Sequence, residues 1–100
     1  MRVEFSKEFE KAVRKLSGKM LDSVRQAVQE VINAECIDEL TDCKKLVDYE
    51  FIYRLRIGGY RAFFSFHVQI KDDCVNFLYL ISRGQAYDRK MQNNLQRKDK

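Results

Sequence analysis

The sequence predicts an α+β fold in which helices cover one face of an antiparallel sheet of about four strands. Two early segments repeat apolar residues at helical spacing, the middle of the chain alternates apolar and polar residues, and the last segment returns to helical spacing. The chain has 100 residues, which is enough for one modest core but not for two. We therefore expect residues 1–100 to form a single domain.

The first half of the chain predicts a short strand and a helical hairpin. The strand covers residues 2–5, and Ser6 is suited to cap the helix that follows it. The apolar residues of this helix follow an i, i+3, i+4, i+7 pattern and are Phe9, Ala12, Val13 and Leu16. After a break at Ser17-Gly18, a second helix carries one apolar stripe: Leu21, Val24, Ala27, Val28, Val31 and Ile32. Residues 35–42 are acidic and predict a loop.

Period-two alternation then predicts a β-hairpin around Gly58-Gly59, a pair able to form a tight turn. In the first arm, Phe51, Tyr53, Leu55 and Ile57 share one face, and Ile52, Arg54 and Arg56 share the other. In the second arm, Tyr60, Ala62, Phe64, Phe66 and Val68 alternate with Arg61, Phe63, Ser65 and His67.

The remaining segments predict a central strand and a terminal helix. Asp72-Asp73 marks a turn, and residues 75–82 are apolar on both faces, as expected for a strand inside a sheet. Arg83-Gly84 ends this strand. A basic helix is predicted over residues 86–97, with Tyr87, Met91 and Leu95 along one stripe.

Charge is distributed unevenly and indicates an anionic partner. The net charge is +4, yet residues 1–43 hold seven Lys or Arg against nine Asp or Glu, whereas residues 44–100 hold twelve against six. Within the basic half, Arg54, Arg56 and Arg61 lie close to one turn. Guanidinium groups on a rigid hairpin favour recognition of phosphate in a fixed geometry, as in RNA or another polyanion.

Other classes of protein are disfavoured. No apolar run approaches the ~20 residues of a membrane span, and the first residues lead into no signal-peptide core, so a cytoplasmic setting is expected. Cys36, Cys43 and Cys74 are scattered and odd in number, and His67 has no second ligand at metal-binding spacing. We therefore expect neither a metal site nor a cofactor.

The chain resembles the RelE/ParE superfamily of toxins from bacterial and archaeal type II toxin–antitoxin systems. The resemblance rests on Lys44-Lys45-Leu46, on the hairpin from Tyr53 to Arg61, and on Leu80-Ile81-Ser82-Arg83 followed by Tyr87. The order of elements also agrees over nearly the whole chain. The RelE branch of this superfamily implies metal-independent cleavage of mRNA in the ribosomal A site, by attack of a ribose 2′-hydroxyl on the neighbouring phosphate.

The resemblance implies roles for individual residues. Arg61 would stabilise the transition-state phosphate, and Arg83 would hold the scissile phosphate and assist the leaving group. Arg54 would help to activate the nucleophile or bind phosphate. Tyr87 would stack on a base or aid proton transfer. Further RNA contacts are expected from five basic residues: Lys44, Lys45, Arg56, Arg89 and Lys90.

The expected partners are mRNA, the ribosome and a cognate antitoxin that forms a hetero-oligomer with the chain and covers its basic sheet face. Two alternatives stay open: a ParE-type inhibitor of DNA gyrase without nuclease activity, and a catalytically weak module that binds RNA or the ribosome. Ile52 and Ser82 favour these alternatives, because active relatives carry lysine and histidine at the matching positions.

Overall fold

The computed structural model describes residues 1–67, 74–86 and 88–99. In chain order the elements are β1 (Arg2–Phe5), α1 (Lys7–Arg14), α2 (Gly18–Asn33), a 3₁₀ turn (Ile37–Glu39), β2 (Cys43–Lys45), β3 (Ile52–Ile57), β4 (Tyr60–His67), β5 (Cys74–Ser82) and α3 (Arg89–Lys98). The predicted α+β class and order of elements are confirmed. Predictions for Val68, for the Asp72-Asp73 turn and for Tyr87 lie outside the described residues.

The described strands form one sheet in the order β1-β5-β4-β3-β2. The pair β1–β5 is parallel and the other three pairs are antiparallel. The prediction of about four strands was one short, because β2 has only three residues and directly follows an acidic stretch. It pairs with β3 at the sheet edge, with Lys44 opposite Arg54.

The helical hairpin packs on one face of the sheet and forms the larger core. Phe9, Val24 and Val31 of the helices meet the inward side chains of the strands, among them Phe64 and Phe77. Two hydrogen bonds fix where α1 begins. The Ser6 hydroxyl accepts the Phe9 N–H at 3.0 Å and donates to the Leu78 carbonyl at 2.6 Å. One serine therefore caps the helix and ties it to β5.

The third helix lies on the opposite face, so the expectation that all helices share one face was wrong. Leu95 of α3 belongs to a second core cluster with Ile52, Phe63, Leu78 and Ala86. Because Ile52 and Phe63 alternate with residues of the larger core, their side chains point to the other side of the sheet. Burying them requires cover there, and α3 supplies it.

Helix α3 is shorter than predicted and is anchored at both ends. It begins at Arg89 rather than residue 86, because the Asp88 side chain caps it by accepting the Met91 N–H at 2.8 Å. At the other end, the Asp99 carboxylate accepts the Phe51 N–H at 2.6 Å and the Glu50 N–H at 2.9 Å. Across the described residues, no helix is both long and apolar enough to cross a membrane.

Candidate nucleic-acid interface

The strand register brings four cationic side chains to one area of the sheet. Arg56 is directly opposite Arg61, and Lys44 is directly opposite Arg54. Directly paired residues share a face and hold their Cβ atoms about 4.5–5.5 Å apart, while Arg54 and Arg56 are about 7 Å apart along β3. These four residues occupy the face that α3 covers only in part.

Arg83 joins them at the end of the sheet. Its backbone N–H donates to the Gly59 carbonyl at 2.9 Å, so the chain leaves β5 alongside the β3–β4 turn. This position depends on β5 pairing with β4, which the sheet order now shows. The Arg83 side chain is exposed. We call Lys44, Arg54, Arg56, Arg61 and Arg83 the basic cluster.

Arg61 differs from its neighbours because its side chain is folded back on the turn. It is only 6% exposed, and its Nη1 donates to the Gly58 carbonyl at 3.0 Å and to the Tyr60 carbonyl at 2.9 Å. Its Nε is buried and has no hydrogen-bond partner among the described residues. Arg61 therefore holds the turn in this conformation, and its guanidinium must rotate to contact a phosphate fully.

Four cations of the cluster are not neutralised by acidic side chains of the described residues. Lys44, Arg56, Arg61 and Arg83 form no ion pair with any residue that the structure describes. By register the neighbouring carboxylate is Asp42, whose backbone carbonyl accepts the Arg56 N–H at 3.0 Å. Like charges directly opposite each other in a sheet are destabilising. A bound polyanion would offset this repulsion.

The nearby thiol is not a nucleophile at neutral pH. Burial raises the pKa of Cys43 to about 11, although the positive charge of Arg54 opposes that rise. Cys43 therefore stays protonated, and thiols react as thiolates. Cys43 is therefore not a candidate nucleophile beside the basic cluster.

The remaining predicted RNA-binding residues are Lys45, Arg89 and Lys90. Lys45 is opposite Tyr53, which packs against the larger core, so Lys45 belongs to the helix-covered side of β2. Arg89 and Lys90 are exposed in the first turn of α3, where the helix dipole disfavours cations. Tyr87 lies outside the described residues. The structure thus brings Lys44, Arg54, Arg56, Arg61 and Arg83 together, and it leaves Lys45 on the other face.

No metal-binding group was found in ranges 1–67, 74–86 and 88–99, where no three His, Cys, Asp or Glu side chains cluster. His67 stacks on Phe51 with ring centroids 4.0 Å apart. It lies at the end of β4 remote from the Gly58-Gly59 turn. His67 is therefore not positioned to act with the basic cluster.

The structure also contains a groove that the sequence did not predict. It lies on the other side of the strand ends from the basic cluster. Its volume is about 490 Å³, and it runs between α1 and the last residues of β5. Lys11 and Lys15 line it from α1 and Tyr60 lines it from β4, while Tyr79 lines it from β5 and packs its side chain against the second core cluster. The i, i+4 spacing of the lysines is visible in the sequence and was the available signal.

Comparisons with known proteins find chains of similar sequence and fold. No protein-family model matches the sequence. Toxin RelE3 of Methanocaldococcus jannaschii is 28% identical over 89 residues, which cover 88% of this chain and 97% of that protein. The crystal structure of a RelB–RelE antitoxin–toxin complex from Methanococcus jannaschii matches with a TM-score of 0.67 at 25% identity, covering 85% of this chain and 95% of the other. The archaeal RelE–RelB complex from Pyrococcus horikoshii matches with a TM-score of 0.66 at 29% identity, covering 85% and 97%.

The fold and these similarities are typical of the small α+β toxins of the RelE/ParE superfamily. Within that superfamily the similarities are to RelE-like toxins, and the chain agrees in length and architecture with the toxins of both archaeal complexes.

Proposed function

We propose that this chain is the toxin of a type II toxin–antitoxin pair and acts as a metal-independent endoribonuclease on mRNA at the ribosomal A site. The observation that carries the proposal is the convergence of Arg54, Arg56, Arg61 and Arg83 at one end of the sheet. The positive charge of these side chains, together with Lys44 on the adjoining strand, complements the negative charge of an RNA backbone. The antitoxin partner is supported by the relatives solved as antitoxin–toxin complexes.

The proposed reaction uses the RNA's own hydroxyl as nucleophile. The 2′-oxygen forms a bond to the adjacent phosphorus while the bond from phosphorus to the 5′-oxygen breaks. The products are a 2′,3′-cyclic phosphate and a free 5′-hydroxyl, so the 2′-hydroxyl proton must leave and the departing oxygen must gain one. Negative charge builds on the non-bridging oxygens in the transition state, and fixed cations stabilise it there more than in the ground state.

The arginines have different roles in this proposal. Arg83 is exposed beside the turn and holds the scissile phosphate. Arg61 has a buried Nε without a partner, and a phosphate oxygen would supply the missing acceptor once its guanidinium leaves the two turn carbonyls. Arg54 and Arg56 bind the adjoining phosphates along β3. Because arginine stays protonated near neutral pH, these residues act through charge and orientation rather than as bases.

The two alternatives have a structural basis in Ile52 and Ser82. Ile52 is fully buried in the second core cluster, so its position holds part of the core rather than a proton-transfer group. Ser82 is opposite Tyr60 on the helix-covered face. Neither residue supplies a base beside the basic cluster. A ParE-type gyrase inhibitor or an RNA-binding module would need no such group.

Primer extension on ribosome-bound mRNA after induction of the chain tests the proposal. We expect cuts in the A site that weaken by about a hundredfold or more in Arg83→Ala, because one transition-state contact of this kind contributes that much. Arg25→Ala is the matched control, since it removes an exposed arginine from α2, on the other side of the molecule.

Other outcomes would reject the nuclease assignment. Growth arrest with intact mRNA and altered DNA supercoiling would establish the gyrase alternative. Intact mRNA without growth arrest, together with retained RNA or ribosome binding, would establish the binding module.

A further inference from the structure

The groove beside α1 follows the last part of β5 toward the basic cluster. The bond from the Ser6 hydroxyl to the Leu78 carbonyl places the start of α1 next to the middle of β5. From there the helix rises about 1.5 Å per residue, and the strand advances about 3.3 Å per residue. Lys15 and Ser82 consequently lie at the same end of the groove, and both line it.

Positive charge increases along the groove in that direction. Glu8 lies near the start of α1, where a backbone hydrogen bond, the Ser6 hydroxyl and the charges of Lys98 and Lys11 lower its pKa. Lys11 follows one turn later and Lys15 one turn after that, about 6 Å further along the helix axis. Both lysines are exposed, and neither forms an ion pair with a described residue.

The groove and the basic cluster meet at the ends of β4 and β5. Tyr60 lines the groove, and the next residue along β4 is Arg61, on the opposite face. Ser82 is opposite Tyr60 and also lines the groove, while Arg83 follows it beside the turn. A bound polyanion that extends beyond the arginines therefore has a short path over the ends of β4 and β5 to Lys11 and Lys15.

We propose that this groove is a second subsite for single-stranded RNA, which holds the nucleotides next to the segment bound by the basic cluster. Lys11 and Lys15 neutralise successive phosphates, and Tyr60 offers an aromatic surface on which a base stacks. The volume of about 490 Å³ lies in the range of small-ligand sites. This inference rests on the proposed function, because it takes RNA as the substrate.

Fluorescence anisotropy with 2′-O-methyl oligonucleotides tests the subsite, since these cannot be cleaved. One oligonucleotide has about three nucleotides and spans only the cluster; the other has about eight and spans both sites. In Lys11→Gln/Lys15→Gln we expect about tenfold weaker binding of the longer one, a salt slope lower by about 1.4, and unchanged binding of the shorter one. Lys7→Gln/Lys19→Gln removes the same charge outside the groove and should leave both affinities within about twofold.

An aromatic test separates stacking from charge. Tyr60→Phe should retain affinity for the longer oligonucleotide, whereas Tyr60→Leu should reduce it by about fivefold or more. Equal affinities in these two variants would contradict a stacking role. The thermal unfolding midpoint should not change in Lys11→Gln/Lys15→Gln, because both side chains are exposed.

The results distinguish failure of the subsite from failure of the proposed function. Arg83-dependent binding of the short oligonucleotide, with no effect of Lys11→Gln/Lys15→Gln on the long one, would overturn the subsite alone. Equal losses from both lysine pairs would do the same. Unchanged RNA affinity with weaker capture of the co-expressed antitoxin would assign the groove to an acidic protein segment instead. Binding of neither oligonucleotide by the unmodified chain would overturn the subsite, whereas intact ribosome-bound mRNA in the primer-extension experiment would reject the proposed function.

Discussion

The two faces of the β3–β4 hairpin differ in what their side chains do, although both faces belong to the same two strands. On the helix-covered face, Leu55, Ala62 and Phe64 are buried in the larger core. On the opposite face, Ile52 and Phe63 are buried under α3 at one end, while the arginines occupy the end near the turn. The second face is therefore half core and half basic cluster.

The difference shows how one alternating segment separates stability from recognition. Each arginine of the hairpin is a sequence neighbour of a core residue, and the rigid core below fixes where each guanidinium begins. Cations in a precise arrangement bind phosphates with less loss of conformational freedom than cations on a mobile tail. Substitutions on the two faces should consequently affect different measurements.

The largest expected effect is on the helix-covered face. Phe64 is fully buried and contacts the rings of Tyr53 and Phe77 at centroid distances of 5.3 and 5.7 Å. Phe64→Ala should lower the free energy of unfolding by about 3–5 kcal/mol, through lost burial and an unfilled cavity. Denaturant unfolding measures this loss. Val47→Ala is the control, since Val47 is 75% exposed and its truncation should change stability by less than about 0.5 kcal/mol. A loss below about 1 kcal/mol in Phe64→Ala would contradict the assignment of this face to the core.

A smaller effect is expected at the anchor that keeps α3 on the opposite face. Asp99→Ala removes the carboxylate that accepts the backbone N–H groups of Glu50 and Phe51. It should lower the free energy of unfolding by about 1.5–3 kcal/mol, the range for hydrogen bonds to a charged group. Hydrogen exchange should also become faster in α3 than in α2, because the helix is released before the larger core opens.

Asp22→Ala is the matched control for this anchor. It removes an exposed carboxylate from α2, and it should leave stability within about 0.5 kcal/mol of the unmodified chain. Equal effects of the two substitutions would show that loss of negative charge, rather than loss of the anchor, causes the change.

The division between the two faces of the hairpin was largely predictable, because side-chain alternation in a strand leaves little freedom. The alternation correctly placed Arg54 and Arg56 on one face of β3 and Leu55 and Ile57 on the other. The depth of a side chain was not predictable in the same way. Arg61 alternates as an outward residue, yet it is 6% exposed because the tight turn places the Gly58 and Tyr60 carbonyls within its reach.

Features that depend on long-range packing were harder to predict. The stripe containing Met91 and Leu95 indicates that α3 buries one side, but it does not show which face of the sheet receives it. The place of Arg83 beside the turn required the pairing of β5 with β4. The groove at Lys11 and Lys15 likewise exists only because α1 lies along β5 beyond the end of β1.

The smallest expected effect on stability is that of Arg56→Gln. This substitution should change stability and RNA binding in opposite directions. Arg56 is directly opposite the buried Arg61, and two like charges in that position repel each other. Arg56→Gln should therefore raise the free energy of unfolding by about 0.2–1 kcal/mol while it weakens RNA binding and lowers the salt slope by about 0.7. The stability gain should shrink in high salt, because ions screen the repulsion at this exposed side chain.

Lys45→Gln is the control for Arg56, since it removes an exposed cation from the adjoining strand on the other face. It should change neither the free energy of unfolding nor the affinity for a short oligonucleotide. If Arg56→Gln instead destabilised the fold at every salt concentration, Arg56 would contribute packing rather than repulsion. Arg56 would then have to be grouped with the core residues of its face, because it would stabilise the fold as well as bind RNA.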